Sequence, residues 1–387
     1  MQPNPSLDKP LVFTGQRGSA QAGLSAAKLA RAVEVFEGQL AEGLQPGAQW
    51  VVTWRGQVVI DLAAGLAQVR RRRPVKPETP FMVYSVSKPF AAVCLHRLLE
   101  AGQVDLDAPI ATYWPEFGRR GKEPATVRHA LLHQAGIPVR GLGGEAFLCT
   151  NWGCVTRFVS GLEAEFPPGT QTAYHLVNFG YLVGEVVRRA SGLPIEVYLR
   201  RHFLGPLGLR HTWLGLPYGE QFRAAALYSS APHQREAALI FAWPHIRRAV
   251  IPAASVNSTA RDLAVFYQML LNGGQYAGAR YLQPDTIARA TALHYDGYDG
   301  TFREATRWGL GFQLGGPALV DNVDAQPMGK GSSPRTFGHM GQGASAITWA
   351  DPDAQLVFAF TCNRLLARPM ARARVRALAN AIWDALE

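Results

Sequence analysis

The chain has 387 residues, 48% hydrophobic and 18% charged, with a formal net charge of +10 and four cysteines. That length exceeds what one compact core usually holds, so two lobes around a sizeable core are expected, and no segment is apolar for long enough to span a bilayer. The positive charge is not gathered into a patch: its one dense run, Arg70 to Arg73 in "QVRRRRPVKP", ends at a proline between two strand-like segments and reads as a solvated loop. Cys94, Cys149, Cys154 and Cys362 have no C-x-x-C spacing and are expected as reduced thiols.

The opening "MQPNPSLDKPLVFTGQRGSAQ" carries prolines and mixed charge where a secretory leader would need a continuous apolar run, so a cytoplasmic location is expected if Met1 is the true start. After this flexible stretch, Ser25 can cap a helix through "AAKLARAVEVFEGQLAEG". The runs "AQWVVTW" and "QVVIDLAAG" follow as strands, joined by a hairpin at Arg55-Gly56. From Ser85 to about Leu271 helical signals dominate. Among them are "TVRHALLHQAG" from Thr126, "NFGYLVGEVVRRASG" ending in arginines and glycine, and "STARDLAVFYQMLLNGG" from Thr259 with Asp262 at the capping-box position. Strands return in "WGLGFQLG", "TFGHM", "ASAITWA" and "QLVFAFTC", the last two separated by the turn Asp351-Pro352-Asp353, and a final helix closes the chain.

Neither end can make a stable sheet alone, so the two are expected to build one antiparallel sheet. The fold class is therefore α+β, the sheet flanked by N- and C-terminal helices, with a mostly helical lobe inserted. The expected division is a flexible segment 1–24, a discontinuous sheet domain 25–84 and 300–387, and a helical domain 85–299, with the active site between the two domains.

Chemistry is concentrated in "FMVYSVSKPF", residues 81–90. With Val86 to Ala101 as a helix, Pro89 falls in the first turn, where its missing N–H is tolerated, and Gly102 stops it. Ser85 then stands at the helix N-terminus with Lys88 one turn on, on the same face. A serine hydroxyl needs a base to become a nucleophile, a lysine can be that base if burial lowers its pKa, and free N–H groups at a helix start can hold an oxyanion.

This element resembles the S-x-x-K motif of the serine β-lactamase, penicillin-binding protein and family VIII esterase superfamily. Further segments resemble it in the same order: "TVRHALLHQAGIP", "FPPGTQTAYHLVNFGYLVGEVVRRASG", "STARDLAVFYQMLLNGG" and "FGHMGQGASAITWADPD". The resemblance makes Ser85 the nucleophile and Lys88 the base, with Tyr174, from the Tyr-x-Asn motif, sharing proton transfer. The asparagine is absent, since the motif reads Tyr174-His175-Leu176. A phenol has an ordinary pKa near 10, so Tyr174 needs a cation beside it to act as base, and Lys88 is the one expected. The Lys-Thr-Gly motif matches His339-Met340-Gly341, where His339 can hydrogen-bond the tyrosine or the substrate. Gly341 lets the strand approach the ligand, and the backbone N–H of Gln342 joins that of Ser85 in an oxyanion hole.

The departures bear on substrate. In lactamases the lysine and threonine of the third motif bind a carboxylate and the asparagine of the second binds an amide; this chain offers Met340, Leu176 and a histidine mostly neutral at pH 7. Losing a charge-assisted partner costs about 1.5–3 kcal/mol of binding, which disfavours efficient β-lactam hydrolysis. The expectation is a serine hydrolase cleaving carboxylic esters through an acyl-serine. The alternatives are a D-amino-acid peptidase, amidase or weak β-lactamase on the same site, an acyltransferase with an alcohol acceptor, or a silent binding protein. A small-molecule ester or amide is the expected partner, with no cofactor, no metal, no nucleic acid and no membrane. His129 and His133 are four apart but lack the acid and third ligand of a zinc site, "WGLGFQLGG" lacks the context of a dinucleotide site, and "GASAI" breaks the G-x-S-x-G elbow.

Overall fold

The computed structural model describes residues 9–15, 24–137, 150–316 and 326–386. Most of the opening segment, the whole of the loop "PVRGLGGEAF" and Cys149 lie outside them. Cys94, Cys154 and Cys362 are free thiols.

Among the described residues, nine strands make one sheet: β1 (Gly47–Trp54), β2 (Gln57–Gln68), β3 (Arg73–Pro74), β4 (Tyr295–Asp299), β5 (Glu304–Trp308), β6 (Gln313–Leu314), β7 (Phe337–Met340), β8 (Ala346–Asp351) and β9 (Leu356–Cys362). They lie in the order β4-β5-β6-β7-β8-β9-β1-β2-β3, every pair antiparallel. The two ends of the chain meet at β1 and β9, in the register Val51↔Ala359 and Val52↔Phe358. At the β1–β2 hairpin, Arg55 (φ +50°) and Gly56 (φ +76°) take the positive dihedrals that a tight two-residue loop demands.

Alternate residues of β1 and β9 face opposite ways, yet all are buried, because both faces of the sheet are covered. On one face Trp50, Val52, Phe358 and Phe360 pack with Leu29 and Phe36 of helix α1 (Ala26–Ala41) and with Val375 and Leu378 of the C-terminal helix Arg368–Ala385. On the other face Val51, Val357 and Ala359 join the larger core built around α2 (Ser87–Glu100), α3 (Asn178–Ser191) and the helix Ala260–Leu271. With α4 (Pro232–Ala242) following α3 in sequence, the helix Ala260–Leu271 is α5 and the C-terminal helix Arg368–Ala385 is α6. The architecture is α+β, as expected.

Caps also behave as the sequence indicates. Ser25 Oγ accepts from Lys28 N–H at 3.4 Å, Thr259 Oγ1 from Asp262 N–H at 3.1 Å, and α3 ends at Gly192 with φ +72°. Asp262 does not close a capping box. Its carboxylate instead accepts from His211 N–H (2.9 Å) and the Thr212 hydroxyl (2.8 Å), tying a distant loop to α5.

The continuous strand expected over "WGLGFQLG" is broken. β5 ends at Trp308 and β6 begins at Gln313, with Gly311 between them at φ +88°. A Cβ there would lie 2.5 Å from Cβ of Ala92, so the glycine lets this turn press onto α2.

Candidate active site

The residues singled out from the sequence converge where α2 begins, at the edge of β7. Tyr84–Val86 form one 3-10 turn running into α2. Tyr84 enters it at φ +47°, a left-handed conformation that costs a bulky residue energy and is the kind of strain found at functional turns. Ser85 is left half-exposed while its neighbours on both sides are buried.

Lys88 is 1% exposed, and its Nζ lies 3.2 Å from Ser85 Oγ and 3.4 Å from the carbonyl O of Ala253. It also sits 4.5 Å from the centroid of the Tyr174 ring and 5.7 Å from that of Phe179. Burial holds its ammonium well below the usual lysine range. The amine is thereby favoured in the form that can accept a proton. It approaches Tyr174 over the ring face.

Tyr174 is 4% exposed, and its hydroxyl lies 3.4 Å from His339 Nε2. Burial pushes the phenol up, and a hydrogen bond with Ser85 pulls it down by less. Tyr174 is therefore a neutral donor, one whose hydroxyl contacts both Ser85 and His339. His339, on β7, has Nδ1 3.0 Å from the carbonyl O of Met340. That carbonyl can only accept, so the proton is on Nδ1 and Nε2 is the acceptor for the tyrosine hydroxyl. Burial, then the nearby Lys88, lowers the His339 pKa to about 3, and the imidazole stays neutral.

Gly341 and Gln342 follow at the end of β7. A Cβ on Gly341 would fall 2.5 Å from the carbonyl O of Val83, so only glycine lets this strand end touch the backbone that leads into Ser85. Gln342 opens the 3-10 turn Gln342–Ala344. Like Ser85 it has a first-turn backbone N–H, which no carbonyl within the same turn can accept.

Other residues that hold this arrangement gave no local signal in the sequence. Asp299, 1% exposed at the end of β4, accepts from Tyr174 N–H at 3.1 Å through one oxygen and from Thr301 and Phe302 N–H at 2.8 Å through the other. Thr301 Oγ1 donates to the Tyr174 carbonyl at 3.1 Å. His133, fully buried at φ +59°, packs its ring 4.5 Å from that of Tyr174, and its Nδ1 accepts from His175 N–H at 3.2 Å. From α6, Arg374 (2% exposed) donates through Nη2 to the carbonyls of Gly343 at 2.9 Å and Ala344 at 2.8 Å. A buried guanidinium thus grips the far side of the Gln342 turn.

His129 and His133 do not act as a pair. His129 serves the N-cap of Val127–Leu131, its Nδ1 accepting from Thr126 N–H at 3.2 Å, whereas His133 stands against Tyr174. Among the described residues no group of His, Cys, Asp and Glu is arranged to hold a metal ion.

This geometry coincides with a family match. Residues 32–381 fit the beta-lactamase family. The chain belongs to the beta-lactamase family. Membership places it among hydrolases. It is 30% identical over 352 residues to the Esterase/beta-lactamase LipL of Mycobacterium tuberculosis, covering 83% of this chain and 78% of that protein. The solved structure of a penicillin-binding protein homologue from Caulobacter crescentus is similar at a TM-score of 0.81 and 31% identity, over 94% of this chain and 99% of that one. A family VIII carboxylesterase matches at the same TM-score and coverage with 28% identity.

Among the described residues, no helix is long and apolar enough to cross a membrane.

Proposed function

We propose that this beta-lactamase-family hydrolase cleaves carboxylic esters through an acyl-serine formed on Ser85. The observation that carries the reading is the 3.2 Å approach of a buried, deprotonation-prone Lys88 Nζ to Ser85 Oγ, beside a neutral Tyr174 hydroxyl. Lys88 takes the hydroxyl proton as Oγ adds to the ester carbonyl. The backbone N–H groups of Ser85 and Gln342 hold the tetrahedral oxyanion. As the intermediate collapses, the carbon–oxygen bond to the alcohol breaks and the departing alkoxide takes a proton from Tyr174, which Lys88 replenishes. Water then repeats the sequence on the acyl-serine, its proton passing to Lys88, and the acid leaves as Ser85 recovers its own.

Ester preference is supported by what surrounds this apparatus. Where the resemblance puts a carboxylate-binding threonine and an amide-binding asparagine this chain has Met340 and Leu176, and His339 adds no charge because burial keeps it neutral. The family VIII carboxylesterase likeness points the same way, while LipL is named as both an esterase and a beta-lactamase.

The deciding experiment measures turnover of p-nitrophenyl acetate, butyrate and octanoate, with nitrocefin in parallel, by the parent and its Ser85→Ala variant. Ester turnover lost in the variant, with slow nitrocefin cleavage, is expected. Turnover that persists without Ser85, or nitrocefin cleaved faster than any ester, refutes the proposal.

A further inference from the structure

The turn that carries the Gln342 N–H is anchored from several directions. Arg374 holds the carbonyls of Gly343 and Ala344, Gly341 N–H donates to Ala346 O at 2.8 Å, and Gly341 lies against Val83. Gln342 itself is anchored through its side chain: Nε2 donates to Oε1 of Gln234 at 2.7 Å. Gln234 is 8% exposed in the first turn of α4, whereas the Gln342 side chain is exposed.

Gln234, Ala238 and Phe241 are spaced four and three apart, which puts them on one face of α4. That face meets the other half of the oxyanion site as well. Phe241 packs edge-on against Tyr84, ring centroids 5.1 Å apart at 70°, and Ala238 joins Met82, Tyr84 and Leu365 in one buried cluster. α4 therefore contacts both residues that flank the proposed hole, the strained Tyr84 before Ser85 and Gln342 across from it.

We infer that Gln234 is a positioning residue for oxyanion stabilisation, and that the seating of α4 fixes the distance between the Ser85 and Gln342 N–H groups. The inference rests on the reading of Ser85 as nucleophile and of these two N–H groups as the oxyanion donors. A solvated glutamine in place of Gln342 would have free rotation about its side chain and leave the turn's first peptide less constrained. Bonding that side chain to a buried acceptor on a helix removes this freedom before substrate arrives. Small displacements matter here, because donors stabilise the oxyanion only near 2.7–3.1 Å.

The test uses purified full-length protein and p-nitrophenyl butyrate, with kcat, KM and Tm measured for each variant. Gln234→Leu removes the acceptor at similar size, and kcat is expected to fall about tenfold with KM within about twofold and Tm unchanged or higher. Gln234→Glu keeps an acceptor for Gln342 Nε2 and restores kcat to within about threefold of the parent. The double variant Gln234→Glu/Gln342→Glu sets two carboxylates against each other and falls as Gln234→Leu does. Parent-level kcat in Gln234→Leu overturns the inference, as does a loss that tracks a lowered Tm. So does a failure of Gln234→Glu to recover activity. Turnover surviving in Ser85→Ala would remove the reading underneath, a failure seen in that control alone and separable from the Gln234 results.

Discussion

Lys88 Nζ and Ser85 Oγ stand 3.2 Å apart where the 3-10 turn Tyr84–Val86 runs into α2, and the lysine has almost no solvent. The arrangement suits chemistry at the expense of stability. An unfolded Lys88 holds its proton up to about pH 10.4, while the folded one releases it well below, so folding expels a proton in that window and stability rises with pH through it. Lys88→Met should therefore be more stable than the parent at pH 7, with the advantage shrinking as pH climbs towards 10. Its kcat should fall by about 10²–10⁴, the usual range for loss of a general base. Thermal melts at pH 7 and 10 beside ester kinetics check both; a Lys88→Met protein less stable than the parent at pH 7 would contradict the neutral-amine picture.

Gly341 gives the second expectation. Its conformation is ordinary extended backbone (φ −86°), so the demand for glycine is spatial and comes from Val83 O at 2.5 Å. Neither group is a flexible side-chain end, so Gly341→Ala must part β7 from the Ser85 turn. A fall in kcat approaching 10²-fold is expected, the cost of one misplaced oxyanion donor, with a smaller effect on KM. Unchanged kcat in Gly341→Ala would show that this close approach has no part in the chemistry.

How much of this could be read from the chain itself depends on sequence distance. Ser85 and Lys88 are one helical turn apart, so their meeting follows from helix geometry alone. The β1–β2 hairpin and the caps at Ser25 and Thr259 are equally local. Both ends of the chain joining in one sheet was legible because neither had enough strands alone. By contrast, Asp299 meets Tyr174 across 125 residues and Arg374 meets Gly343 across 31, and neither has a periodicity or motif to announce it. The break at Gly311 was missed for a similar reason: what decides it is the nearness of Ala92, a tertiary contact that overrides the strand propensity of its neighbours. Tyr174 was found by its resemblance, but its neutral state depends on burial that only the folded chain supplies.

Asp299 supports a third prediction. Its two oxygens accept three backbone N–H groups, and Asn can offer only one oxygen. In Asp299→Asn the amide must face either Tyr174 N–H or the Thr301 and Phe302 pair with donors, leaving a buried N–H unsatisfied at a cost of about 1–3 kcal/mol. A lowered Tm and a roughly tenfold loss of kcat are expected, since the displaced backbone is that of Tyr174. Calorimetry with ester kinetics tests it; parent-like kcat despite a lowered Tm would make Asp299 structural alone.

The last prediction concerns acid. His339 has its pKa lowered to about 3, and His96 and His175 to about 4, each through burial first. In the unfolded chain these groups protonate near 6.5, so below that pH the unfolded state binds more protons and stability falls as pH falls. Each buried neutral imidazole adds a slope of up to about 1.4 kcal/mol per pH unit between 6.5 and its folded pKa, and the slopes sum. Unfolding by urea at fixed pH values should show stability declining from near pH 6.5 towards 4, more steeply than Asp299 can offset with its own raised pKa. His339→Gln should flatten that decline by one group's share. It should also leave no change near pH 6.5 in kcat/KM, because a neutral His339 does not titrate there. An acid limb near 6.5 that disappears in His339→Gln would show that the imidazole is protonated in the working enzyme, and would reverse the direction in which it hydrogen-bonds Tyr174.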